Sequence, residues 1–530
     1  MTSTRQEPDR RPAESARPAS SKSELGAVAR GGVLNLVGAG TSSVANFVLV
    51  VLVTRGFDKT TAGVFFTATS VFLLGARVAE LGTTTGLVYF ISRFRSLGTT
   101  SRIRGSLRIA LLPVLVTSVL AAVVAIFLAP DMAGWLVHGD SGDFATFLRI
   151  LVVFLPLGAA SDALLSATQG IGTMRPMVAV EKVGRPVAQV LLTVIAVVLG
   201  SQLVLPFAWV VPYLPAAVLA AFWLRKLLRR SGVRAEGPTT IEPGQISEFW
   251  RFTAPRALAS VVQLALQRLD IVLVAAIKGP IDAAIYTAAT RFLVVGQLGA
   301  QAITTSVQPR LSQRLARHEK DATNHLYRIA TGWLILVTWP LYLMCAVFAP
   351  YMTRLFGHGY TAGTTVVVLL SLTMLIATAC GMVDVVLIMG GRTTWNLGNA
   401  VLALVVNITV DILLIPHLGI LGAGIGWSAA ILVNNLLPLS QIAFVLGLHP
   451  FSRASFTAIL IAGVCFGLVP GLVRLFGGTQ LVPLLVASVI GTLLFLGALW
   501  LQRQPLALDA LATLRPGRRG SPRHAATKGA

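Results

Sequence analysis

Polar residues along this chain come in bunches, and long apolar stretches separate them. Fourteen such stretches occur, near 31–54, 61–92, 106–129, 145–169, 174–199, 203–224, 249–277, 281–308, 324–348, 362–389, 394–415, 419–446, 454–475 and 480–502. Each reaches the roughly 20 residues that a helix needs to cross the hydrocarbon core of a bilayer. The pattern predicts an all-α polytopic membrane protein with about 14 transmembrane helices. Gly82 interrupts the second run, and Pro212 and Pro215 the sixth, so kinks are expected there. The connections are short except 225–248, which carries Arg225, Lys226, Arg229, Arg230 and Arg234.

Charge placement orients the spans. With the N-terminus inside, the inner segments hold 28 Lys and Arg and the outer segments six. An even number of spans also returns the basic C-terminal tail to the inside, so both termini are expected to be cytoplasmic. Residues 1–30 are polar, without the apolar stretch of a signal peptide, and read as a disordered tail. Residues 503–530 read as a second, basic one.

Composition agrees with the pattern: 530 residues, 55% hydrophobic, 12% charged, with mean hydropathy +0.77. A soluble protein is about a quarter charged. The net charge of +22 would suggest nucleic acid in a soluble chain, but most of it sits in the inner segments, so no nucleic-acid partner is expected. Cys345, Cys380 and Cys465 lie in apolar runs, with neither a disulfide framework nor a zinc spacing. The longest outer loop, about 130–144, holds Asp131, His138, Asp140 and Asp143, which read as a solvated acidic loop rather than a metal site. No Walker motif or hydrolase motif occurs. The chain is expected to be neither an enzyme nor a carrier of a cofactor.

Residues 62–93 and 283–314 align without gaps, with eight identities in 32 positions, among them Gly75/Gly296, Thr83/Thr304, Thr84/Thr305 and Arg93/Arg314. The offset preserves orientation across six spans. The chain thus divides into an N-lobe (31–224), a basic linker (225–248), a parallel-repeat C-lobe (249–446) and two appended spans (447–502), with a path expected between the lobes.

Several strings carry a family resemblance: Asn35-Leu-Val-Gly38 through Arg55, AGVFF…ISR at 62–93, FWRFTAPRALAS at 249–260, and NITVDILLIPHLGILGAGIG at 407–426. Together with the 6 + 6 + 2 layout they resemble polysaccharide flippases of the multidrug/oligosaccharidyl-lipid/polysaccharide exporter superfamily. The resemblance implies a multi-pass protein of the bacterial cytoplasmic membrane. It implies alternating-access translocation of a lipid-linked saccharide from inner to outer leaflet, with membrane lipids and glycan polymerases or glycosyltransferases as partners.

Charges inside spans are costly and mark candidate chemistry. Arg77 and Glu80 are three residues apart in the second run, either as a self-neutralising pair or as a cavity cation tuned by the acid. Arg291 has no acid one turn away and matches Ser70 in the repeat frame, seven residues from Arg77. Pseudo-symmetric lobes would let both arginines face one cavity. There guanidinium forks suit a polyprenyl-diphosphate, unless they pair with Asp162, Asp270 or Asp384. Arg256 and Arg268 are further substrate-contact candidates. Asp270, Asp384 and Asp162, with Glu80, are the coupling or charge-tuning candidates, and Asp411 reads as interfacial. Nine basic against six acidic in-span groups favour an anionic cargo. The competing functions are an ion-coupled multidrug exporter of the same superfamily and an envelope-glycan polymerase or ligase.

Overall fold

The computed structural model describes residues 21–99, 101–136, 141–230, 241–504 and 506. Each of the fourteen apolar runs coincides with a helical segment. These are α1 (Ser21–Gly56), α2 (Lys59–Ser96), α3 (Ser101–Leu136) and α4, a pair bent by 40° (Gly142–Val152 and Leu155–Gly170). Then follow α5 (Met177–Leu199), α6 (Val204–Arg230), α7 (Gln245–Lys278), α8 (Pro280–Ala316) and α9 (Lys320–Val347). The last are α10 (Tyr360–Met389), α11 (Thr393–Leu418), α12 (Ile420–Leu446), α13 (Arg453–Gly477) and α14 (Leu481–Leu501). No strand occurs among the described residues.

Twelve of these helices are individually long and apolar enough to span, and bent α4 makes thirteen. The fourteenth, α8, has 37 residues, but Arg291, Gln297, Gln301 and Gln308 dilute its apolar face. Helix α1 begins at Ser21, inside the stretch read as tail. The linker's 231–240, the loop positions His138 and Asp140, and the tail from 507 lie outside the described residues.

Helices α2 and α8 begin 221 residues apart, the offset of the sequence alignment. Asp58 starts α2 by accepting hydrogen bonds from the amides of Thr60 (3.0 Å) and Thr61 (3.1 Å). Glycine explains two contacts between the lobes. At Gly63 the backbone of α2 lies so close to Pro280, at the start of α8, that a Cβ would overlap it. At Gly82, φ is +70°, and a Cβ would lie 2.6 Å from the amide nitrogen of Ala257 on α7. Here α2 breaks, with Leu81 also at φ +51°.

One apolar core holds residues of both lobes together at the face where α1 ends and α2 begins, including Val53, Phe65, Leu148, Tyr286 and Phe356. On the opposite face the lobes keep separate clusters, one around Phe90, Phe94 and Phe249, the other around Leu311, Tyr327 and Val386. Phe249 belongs to α7, so the first turns of the C-lobe helix are packed into the N-lobe cluster. Helices α13 and α14 lean on α9 through Ile335, Phe348, Ala458 and Ala487. The molecule is thus sealed on the Arg55 side and opens into cavities on the Arg93 side.

Candidate functional site

A cavity of 1010 Å³ opens within the N-lobe, its wall including Arg77, Thr85, Tyr89, Asp162, Glu181 and Phe252. Polar residues of three helices converge here. Arg77 Nη1 is 2.8 Å from Glu80 Oε2. The carboxylate is 3% exposed and the guanidinium 35%, so the acid is buried and the cation fronts the cavity. The Asp162 carboxyl approaches that of Glu80 to hydrogen-bonding range. On α5, Arg185 pairs with Glu181 one turn away (Nε to Oε2 3.0 Å) and donates to the Tyr213 hydroxyl at 2.7 Å. Three carboxyls and two guanidiniums form one network.

The C-lobe holds a second cavity of 640 Å³ between α7, α8, α10 and α12. Asp384 lines it and has no ion pair among the described residues. Next to it is a void of 50 Å³ bounded by Arg268, Asp270, Tyr286 and Arg291, which shares Gln267, Gln297 and Trp427 with the larger cavity. Arg268 and Arg291 are partly buried, and neither has a carboxylate within ion-pair distance among the described residues. Arg291 Nε reaches only the Thr287 carbonyl, at 3.2 Å. Two like charges face one void that Asp270 also borders, with neither arginine in a direct ion pair among the described residues.

Behind them, Asp270 accepts from the Tyr286 hydroxyl at 2.8 Å. The side chain of Asp411 lies against Asp270, and Asn407 Nδ2 donates to it at 3.3 Å. Asp411 is fully buried, not interfacial, because α7 and α12 cover the end of α11 on which it sits. Oδ1 of Asp270, Asn407 and Asp411 is in each case buried without a hydrogen-bond partner among the described residues. Asp270 does not neutralise Arg291.

The eight candidates therefore fall into four places. Arg77, Glu80 and Asp162 meet in the N-lobe cavity. Arg268, Arg291 and Asp270 meet around the C-lobe void. Asp384 stands apart in the larger C-lobe cavity. Arg256 is exposed, stacked 3.6 Å from the Phe252 ring, and donates to the Phe252 carbonyl at 2.8 Å. Arg77 and Arg291 line different cavities. Sequence reasoning missed the partners Asp411 and Asn407, whose contact with α7 is long-range. It also missed the neutral wall of the C-lobe cavity, although glutamines one turn apart within an apolar run are visible in the sequence.

The fold is that of membrane transporters. It superposes on the lipid II flippase MurJ in an inward closed conformation (TM-score 0.68, 16% identity, 88% of this chain and 98% of that one). It also superposes on an inward-facing multidrug resistance MATE family transporter of the MOP superfamily (TM-score 0.64, 13% identity, 78% and 98%). The sequence profile described as polysaccharide biosynthesis protein matches residues 28–315, and a MatE profile matches 255–416. The chain belongs to the polysaccharide biosynthesis protein family. It is similar to the probable low-salt glycan biosynthesis flippase Agl15 of Haloferax volcanii, 23% identical over 241 residues, 43% of this chain. The match spans 48% of that protein, about half its length.

Proposed function

We propose that this protein is a flippase that carries a polyprenyl-diphosphate-linked saccharide, a cell-envelope polysaccharide precursor, from the inner to the outer leaflet by alternating access. The observation that carries the reading is the Arg268–Arg291 pair, two in-membrane guanidiniums on one void, neither with a carboxylate within ion-pair distance among the described residues, although Asp270 borders the same void. A buried unpaired cation is costly, and a bidentate phosphate offsets that cost. Arg77, held by Glu80 on the N-lobe cavity, is the second cation on the route, and Arg256 lies beside its rim residue Phe252. Cavities that open on the basic, Arg93 side fit loading from the cytoplasmic leaflet of a bacterial cell membrane. Glycosyltransferases that build the substrate, and a polymerase that uses it, are the partners this reading implies.

Coupling is assigned to the acids. Asp270, with Asp411 and Asn407, offers three unpartnered oxygens to a proton or small cation. Glu80 and Asp162, which border the N-lobe network, and Asp384, which lines the C-lobe cavity, are the further coupling candidates. Asp411→Asn is expected to abolish gradient-driven transport while the protein still exchanges substrate without a gradient; unchanged gradient dependence would remove the assignment.

The test of function is a deletion strain complemented with Arg268→Gln/Arg291→Gln. Lipid-linked glycan should accumulate on the inner leaflet, with transport down at least about tenfold and membrane abundance unchanged. Normal surface glycan together with drug hypersensitivity in the deletion would favour the multidrug exporter instead, which the MATE-like fold also accommodates.

A further inference from the structure

We infer that the 640 Å³ cavity of the C-lobe is a binding site for a neutral saccharide, reading hydroxyls with amides. The inference rests on the flippase reading above and names where the sugar sits. Gln263 and Gln267 are one turn apart on α7. Gln297, Gln301 and Gln308 follow on α8 at spacings of four and seven, which place them on one face. Both rows line the same cavity, with Asn434 of α12. None of these six side chains has a hydrogen-bond partner among the described residues. Within a bilayer an unsatisfied amide is expensive, so such rows need either water or a ligand in the cavity.

The chemistry of the wall selects among ligands. An amide side chain donates and accepts at once, as a sugar hydroxyl does, and it has no preference for charge. Thr304, Thr305 and Thr378 add hydroxyls to the same wall, and Trp427 adds a broad flat face. Flat aromatic faces pack against the C–H face of a pyranose while their polar edge stays wet. The one ionisable group in the wall is Asp384, which repels uronic and sialic acids. The volume lies within the about 300–1,000 Å³ of small-molecule sites. Position completes the argument: Gln267, Gln297 and Trp427 border both this cavity and the Arg268–Arg291 void. A diphosphate held by the arginines would present its first sugars to the amides.

The full chain in lipid nanodiscs is titrated with three neutral probes, maltotriose, mannotriose and chitotriose, and with trigalacturonate. At least one neutral probe should bind in the millimolar range, with trigalacturonate at least about tenfold weaker. Gln297→Leu/Gln301→Leu, which keeps volume and suits a membrane helix, should weaken neutral-probe binding about tenfold or more at unchanged melting temperature. Arg268→Gln/Arg291→Gln should retain it. No binding of any neutral probe at tens of millimolar, equal binding by wild type and the leucine variant, or trigalacturonate bound as tightly as the neutral probes would each overturn the inference. The flippase reading is judged separately by transport. Transport that survives Gln297→Leu/Gln301→Leu undiminished leaves the flippase and removes the sugar site. Neutral-probe binding in a protein that moves no lipid-linked glycan leaves the site and removes the flippase.

Discussion

At the scale of single residues, the membrane makes partner choice the decisive quantity. Arg185 has two: Glu181, one turn back, and the Tyr213 hydroxyl, over whose ring the guanidinium also lies at 4.6 Å. Removing one partner of a buried pair leaves an uncompensated charge, at about 3–5 kcal/mol. Arg185→Ala is therefore expected to lower the melting temperature in detergent sharply, and Glu181→Gln/Arg185→Gln to restore most of it; an unchanged Arg185→Ala would show the pair to be idle. The i,i+4 spacing made this pair legible in the sequence, as i,i+3 did for Arg77 and Glu80. The Asp270–Asp411–Asn407 contact was not legible, because nothing local brings α7 against α11. Asp411, near a helix end, looks interfacial until the covering helices are known.

At the scale of elements, the apolar runs alone located all fourteen helices, because a bilayer demands one length and one composition of every span. Where that demand is relaxed, sequence and structure part. Helix α8 is long but too polar to qualify as a span, because one face lines a cavity. Helix α2 carries a break that its glycine announced but did not explain. The explanation lies in its neighbour: Ala257 of α7 leaves no room for a side chain at Gly82, whose φ of +70° also disfavours one. Gly82→Ala adds strain of about 1–3 kcal/mol and pushes on α7, the helix that begins in the N-lobe cluster and ends in the C-lobe. Loss of thermal stability and of transport are both expected, read by melting and by glycan export. A variant with wild-type values on both would deny the break any role.

For the whole molecule, the two halves are joined unevenly. A continuous apolar core ties the lobes on the Arg55 side, whereas the Arg93 side keeps two clusters, two cavities and surface ion pairs such as Arg93–Glu248, at 2.6 Å. Surface pairs are worth about 1 kcal/mol or less each, and Arg93–Glu248 ties α2 to the first turn of α7 on the N-lobe side rather than bridging the mouth between the lobes. The alternating access proposed above would require the core around Phe65, Tyr286 and Phe356 to part while the cavity mouths close. This assigns a side to every cavity residue. Thr85 is exposed in the N-lobe cavity, and the native Cys345, Cys380 and Cys465 are buried. A Thr85→Cys variant should thus react with a membrane-impermeant maleimide from the cytoplasmic side, in inside-out vesicles, against a low background. From the outside it should react slowly, and only as fast as the protein visits its other state. An imposed ion gradient that drives transport should raise the outside rate and lower the inside rate together. Fast labelling from outside in resting cells would mean that the sealed face is the cytoplasmic one, reversing the orientation drawn from the distribution of Lys and Arg.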